Sequence, residues 1–122
     1  MRYDAVLFDL LTALLDSWTL WDSVAGSTEA GRRWRAAYLK LTYGCGAYRP
    51  YETLVEEAAM ASGLPAVRAR ELEEEWLSLE PWEDARPLLR KLGKDYRLGV
   101  VTNCSERLGR FAAMRMEVPF DV

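Results

Sequence analysis

The sequence contains no histidine. That absence excludes Ser-His-Asp triads, Cys-His dyads, histidine-based zinc sites and acid-base work by imidazole. Cysteine is scarce: Cys45 and Cys104 form no Cys-x-x-Cys pair and are too few for a disulfide scaffold, so they read as free thiols of a reducing cytoplasm. No apolar run approaches the roughly 20 residues that span a bilayer, and no N-terminal stretch joins a basic start to an apolar middle and a small-residue cleavage site. A basic block is missing too. With a formal charge of -3 and a pI near 5.1, neither nucleic acid nor a membrane surface is the expected partner, which leaves a small molecule or another protein. Asn103-Cys104-Ser105 matches the N-glycosylation pattern, but without a secretion signal the match is read as coincidence.

The chain has 122 residues, half of them apolar, enough to bury the core of one domain. Two short apolar runs have strand length, "DAVLFDL" at residues 4 to 10 and "RLGVVT" at 97 to 102, and both read as buried parallel strands. The long segment between them has helical periodicity. Ala30, Trp34, Ala37, Tyr38 and Leu41 mark one apolar face, and Ala69, Leu72, Trp76 and Leu79 another, predicting helices near 28–43, 51–62 and 65–78. Gly44-Cys45-Gly46 with Arg49-Pro50 separates the first two, and Gly63-Leu64-Pro65 the next, with Pro65 suited to a first helical turn. Ala85, Leu88, Leu89 and Leu92 predict a helix that stops at Gly93, and Leu108, Phe111 and Ala112 predict one after the second strand.

Strand, helical insert, helix, strand, helix is the order of a parallel α/β core with a helical cap inserted after its first strand. The boundaries are residues 1–17 for the first core segment, 18–80 for the cap and 81–122 for the second core segment. A two-stranded parallel sheet is too small to stand unaided. Residues 118–122 end where a third strand would begin, so either the chain is a fragment or another chain completes it, a homodimer being one way.

Asp9 lies inside the first apolar run, where an ionised carboxylate is costly to bury. In an open parallel sheet, ligands bind beyond the carboxyl ends of the strands, and Asp9 and the Thr102-Asn103 pair both fall at such ends. A carboxylate there can attack carbon or phosphorus to give an ester, while a hydroxyl, an amide and the N–H groups opening the next helix hold an anion. Structural roles compete with this one. Asn103 with Glu106 three positions on has the form of a capping box, and Asp16-Ser17 has the form of an N-cap for a helix holding Trp18 and Trp21.

"AVLFDLLTALLDS", a helical insert and then "YRLGVVTNCSERLG" together resemble the first two motifs of the haloacid dehalogenase superfamily, with a cap of the L-2-haloacid dehalogenase branch. The resemblance covers nearly the whole chain and implies a Rossmann-like core, incomplete here. It implies that Asp9 is the nucleophile and that Thr102 and Asn103 hold the anionic end of the substrate. "RRWRAAYLKLTY" resembles the cap helix with the halide-binding arginine, which corresponds to Arg35; the alternative is a solvated arginine beside the face of Trp34 and Tyr38.

Phosphatases of the superfamily have Asp-x-Asp, where the second carboxylate protonates the leaving alkoxide beside a magnesium ion. Here Leu11 stands in that place. Leucine cannot pass a proton, whereas a halide leaves without one, and an apolar side chain can help line its pocket. The dehalogenase branch uses no cofactor; magnesium belongs only to a phosphatase alternative acting on a small phosphorylated metabolite. The family's Gly-Thr before the leucine is Thr12-Ala13 here, so the threonine is displaced by one. Its third-motif lysine, which orients the nucleophile, has no counterpart: Lys40 lies in the cap, and Lys91 and Lys94 flank the helix before the second strand. A third reading is a non-catalytic module completed by a partner or a second copy.

Overall fold

The computed structural model describes residues 2–122. Strand β1 (Ala5–Phe8) pairs in parallel with β2 (Arg97–Val100), Ala5 facing Arg97 and Phe8 facing Val100. Between them run α1 (Ser17–Ala25), α2 (Thr28–Gly44), α3 (Tyr51–Ala61), α4 (Val67–Glu74), a 3-10 turn (Trp76–Ser78) and α5 (Ala85–Leu92); α6 (Glu106–Met114) follows β2. This is the mixed α/β order expected. The chain divides into two compact units, one made of the segment up to Ser17 with Leu77–Val122, the other of Trp18–Trp76.

In the first unit the sheet is open. β1 is not buried as expected: Leu7 is 59% exposed, because among the described residues β1 has β2 alone as a neighbour. β2 is better covered. Its second edge receives the last two residues, Asp121 donating to the Leu98 carbonyl at 2.7 Å and Val100 donating to the Val122 carbonyl at 2.9 Å. A Cβ at Gly99 would lie 2.7 Å from both Leu7 Cδ2 and Val122 Cγ1, so glycine lets both neighbours close on the strand. Leu10, Leu15, Leu89, Leu108 and Met116 supply the core. Leu88 on α5 and Phe111 on α6 stay partly exposed.

The second unit is built around aromatic rings. Trp21 lies 4.7 Å from Trp34 and 5.9 Å from Tyr38, Tyr38 5.3 Å from Tyr51, and Tyr51 6.2 Å from Trp76, in tilted or edge-on geometry. Burying an indole needs a partner for its N–H, and Trp34 Nε1 donates to the Val55 carbonyl at 3.0 Å, tying α2 to α3. Ser27 caps α2 by accepting from the Ala30 N–H at 3.1 Å. Helix α3 ends in a Schellman turn, with Gly63 at φ 89° and Leu64 N–H on the Ala59 carbonyl at 2.8 Å, so the predicted break falls at that glycine.

The helix expected over 65–78 is shorter. Pro65 and Ala66 accept i+3 bonds from Arg68 and Ala69 ahead of the α-helix, and at Glu75, where ψ is 3°, the regular helix gives way to the 3-10 turn. Leu72, Trp76 and Leu79 are buried nonetheless. No helix among the described residues is long and apolar enough to cross a membrane.

The packing of α2 on α1 leaves no room beside Gly31, where an added Cβ would sit 2.1 Å from Asp22 Oδ1 and 2.7 Å from Asp22 Cα. Gly31→Ala should therefore cost about 1–3 kcal/mol of stability. Gly44→Ala, which meets nothing within 4 Å, should be neutral or stabilising by up to about 1 kcal/mol. Urea denaturation of the two variants followed by circular dichroism checks the contrast.

Candidate active site

The residue after a strand leaves the hydrogen-bonded ladder, and its side chain escapes the core. Asp9 follows β1 directly and is exposed, while Leu10, Leu11, Leu14 and Leu15 just beyond it are buried. A turn makes both possible: the Leu10 carbonyl accepts from the Leu14 and Leu15 N–H groups, each at 3.1 Å, and turns the leucines inward. The carboxylate thus avoids the desolvation cost of the run it interrupts.

Thr12 Oγ1 donates to Asp9 Oδ2 at 3.3 Å. The threonine displaced by one in sequence therefore still reaches the carboxylate, because the turn brings position 12 back over position 9. Leu11, at the place of the phosphatase acid, is buried among apolar groups. The turn is anchored from outside: Trp82 Nε1 donates to the Thr12 carbonyl at 2.8 Å, and Ser17 N–H to the Leu11 carbonyl at 3.3 Å.

The strand register carries the second motif to the same edge. Val101 N–H donates to the Phe8 carbonyl at 2.8 Å, so Asp9 and the half-buried Thr102 both emerge just past the last paired residues. Thr102 Oγ1 lies 4.0 Å from Cys104 Sγ, and Asn103 is exposed. The capping box anticipated at Asn103 and Glu106 does not form: Ser105, in extended backbone, caps α6 by accepting from the Leu108 N–H at 3.3 Å. Capping therefore falls two residues later, on Ser105 rather than Asn103. At the other candidate cap, α1 begins at Ser17, which leaves Asp16 just before its first residue.

Sequence reasoning missed Ser105 and Gly109. A Cβ at Gly109 would stand 3.3 Å from Cys104 Sγ and 3.5 Å from Thr102 Cγ2, so this glycine lets α6 pack on the loop that holds Thr102. The signal was present as a glycine inside a helical pattern, where it costs stability unless something packs close.

Arg35 belongs to the helical unit and sits on α2. It is half-buried, with its Cζ 4.3 Å from the Trp18 ring centroid and 5.5 Å from that of Trp21, rather than solvated beside Trp34. Arg32 Cζ lies 4.4 Å from the Trp18 centroid, whereas Arg33 turns away to pair with Glu29 at 2.8 Å. Among the described residues no group of three or more cysteine, aspartate or glutamate side chains is placed to hold a metal ion.

A parallel sheet with a carboxylate at one strand end, a hydroxyl and amide at the next, and a helical insert between them defines a haloacid dehalogenase-like fold. Solved L-2-haloacid dehalogenases share it. A defluorinating L-2-haloacid dehalogenase superposes with a TM-score of 0.77 at 25% identity, over 99% of this chain and 59% of its own. The L-2-haloacid dehalogenase from Xanthobacter autotrophicus superposes with a TM-score of 0.80 at 21% identity, over 98% of this chain and 55% of its own. A structure of that enzyme with chloropropionic acid covalently bound gives the same TM-score at 20% identity. The chain thus spans between 55% and 59% of the length of these enzymes. No family model and no curated protein matches the sequence.

Ser105→Ala should lower stability by about 1 kcal/mol, the usual cost of losing an N-cap. The same change should loosen the loop that carries Thr102 and Asn103. Hydrogen exchange at residues 101–108 checks the second effect: faster exchange of the Leu108 amide than of the α5 amides is the expected result.

Proposed function

We propose that the protein, in its full-length form, is a hydrolase that cleaves the carbon–halogen bond of short 2-haloacids. The observation that carries this reading is the pairing of an exposed Asp9, accepting from Thr12, with a buried Leu11 where a phosphatase needs a second acid. Thr102 and Asn103 would hold the substrate carboxylate, which orients C2 toward the aspartate. An Asp9 oxygen then attacks C2 and the carbon–halogen bond breaks with its electron pair leaving on the halide. Arg35 would receive that anion. The product is an aspartyl ester, and water adding to the Asp9 carbonyl carbon releases the 2-hydroxyacid and regenerates the carboxylate.

Thr12 serves this scheme as a donor to the carboxylate. One hydrogen bond on Asp9 Oδ2 leaves the other oxygen for attack. The scheme needs no metal or other cofactor. A magnesium-dependent phosphatase would have to protonate an alkoxide with no acid at position 11, which weighs against that alternative.

A second reading has an observation of its own. The edge of β1 away from β2, unpaired among the described residues and with Leu7 59% exposed, suits a non-catalytic module whose sheet is completed by a partner or a second copy. Light scattering separates it from the first, since a well-folded monomer of 14.0 kDa contradicts it.

The test of the main reading is chloride release from 2-chloropropionate by the full-length protein. Asp9→Asn should reduce the rate at least about a thousandfold, as loss of a nucleophile does. Thr12→Val should reduce it about tenfold by removing one charge-assisted hydrogen bond. Chloride release unaffected by Asp9→Asn, or EDTA-sensitive phosphate release from p-nitrophenyl phosphate, would overturn it.

A further inference from the structure

We propose that Trp18 is a positioning residue that places the Arg35 guanidinium, an inference that rests on reading Arg35 as the group that receives the halide. Arginine side chains are long and rotatable, so a guanidinium that must meet a departing anion needs something to hold it. Two rings of α1 stand against it. Arg35 Cζ stands 4.3 Å from the Trp18 centroid and 5.5 Å from that of Trp21, within cation–π range of both rings. Trp21 is itself buried and packed 4.7 Å from Trp34. Trp18 precedes it by one helical turn and completes the wall.

The same ring also gathers a second charge. Arg32 Cζ is 4.4 Å from the Trp18 centroid, so the two guanidinium carbons lie no farther apart than those distances together allow. Arg32 makes no ion pair among the described residues, whereas Arg33 is neutralised by Glu29. Spacing of three puts Arg32 and Arg35 on one face of α2. The indole therefore concentrates positive potential at one place on the helical unit. Negative charge builds on the halogen as the carbon–halogen bond breaks, so a fixed guanidinium stabilises the transition state more than the bound substrate.

A positioning role predicts a split between kcat and KM that simple loss of packing does not. In the full-length protein, Trp18→Leu should lower kcat for 2-chloropropionate about tenfold, with KM within about twofold. Trp18→Phe, which keeps an aromatic face, should lower kcat by only about threefold. Both losses should shrink with 2-bromopropionate, whose leaving group needs less help. Equal losses in the two variants, independent of the halogen, would mean a structural role alone and would overturn the proposal, as would an unchanged kcat in Trp18→Leu.

A second measurement does not depend on turnover. Bromide titrated at constant ionic strength should quench intrinsic tryptophan fluorescence saturably in the wild type, not at all in Arg35→Ala, and with Kd raised about tenfold in Trp18→Leu. No saturable response in the wild type, or the same Kd in Trp18→Leu, defeats the proposal. If the wild type releases no chloride while the bromide series behaves as stated, the dehalogenase reading fails and the role of Trp18 stands. An active wild type with an unchanged Trp18→Leu has the opposite meaning.

Discussion

The two chain ends of the helical insert have to meet, and the hydrogen bonds that make them meet also shape the candidate site. Leu15 pairs with Pro81 in an antiparallel bridge, Asp16 N–H reaches the Glu80 carbonyl at 2.8 Å, and Trp82 N–H reaches the Leu14 carbonyl at 3.0 Å. Closing a long insertion costs chain entropy that grows slowly with length, so a few well-made bonds at its base suffice. Here those bonds fall on the turn that follows Asp9. Trp82 Nε1, gripping the Thr12 carbonyl, joins the return strand of that base to the residue that donates to Asp9. Arg115 reinforces the same base from α6, donating to the Leu79 carbonyl at 2.8 Å and pairing with Glu80 at 3.3 Å.

This arrangement reconciles opposite demands on one short segment. An ionised carboxylate must keep its contact with solvent, while the apolar residues around it must leave water. The turn at Leu10 separates the two sets, so Asp9 carries no burial cost and the leucines still contribute hydrophobic stabilisation of about 1.5–3 kcal/mol each. Exposure alone would leave the carboxylate loose. Thr12 restrains it, and β2 brings Thr102 and Asn103 to the same edge through the Phe8–Val101 bond.

Much of this was legible in the sequence. The two strands, the placing of Asp9 and Thr102-Asn103 at their carboxyl ends, and the aromatic stripe of α2 follow from local patterns whose periods are those of the elements themselves. Gly63 stops a helix wherever a residue with positive φ is needed, and it does so here. Leu11 is the residue whose identity bears most directly on the proposed chemistry, and it needs no structure to be noticed.

Other features depended on what lies across space. Thr12 reaches Asp9 despite its shifted place, because backbone bonds of the turn, not spacing to the next leucine, set where its hydroxyl points. Ser105 rather than Asn103 caps α6, since a cap is chosen by which residue adopts extended backbone at the helix start. Leu88, Phe111 and β1 keep exposed apolar surface because periodicity identifies a face but not what stands opposite it. Arg35 rests on Trp18 and Trp21 through packing of α1 on α2, a contact that no pattern within either helix specifies. Which polar groups stand at the strand ends, and which elements hold them, was already written in side-chain chemistry and local periodicity. Their hydrogen bonds, exposure and supports came from the folded arrangement alone, because these are set by residues far apart in the chain.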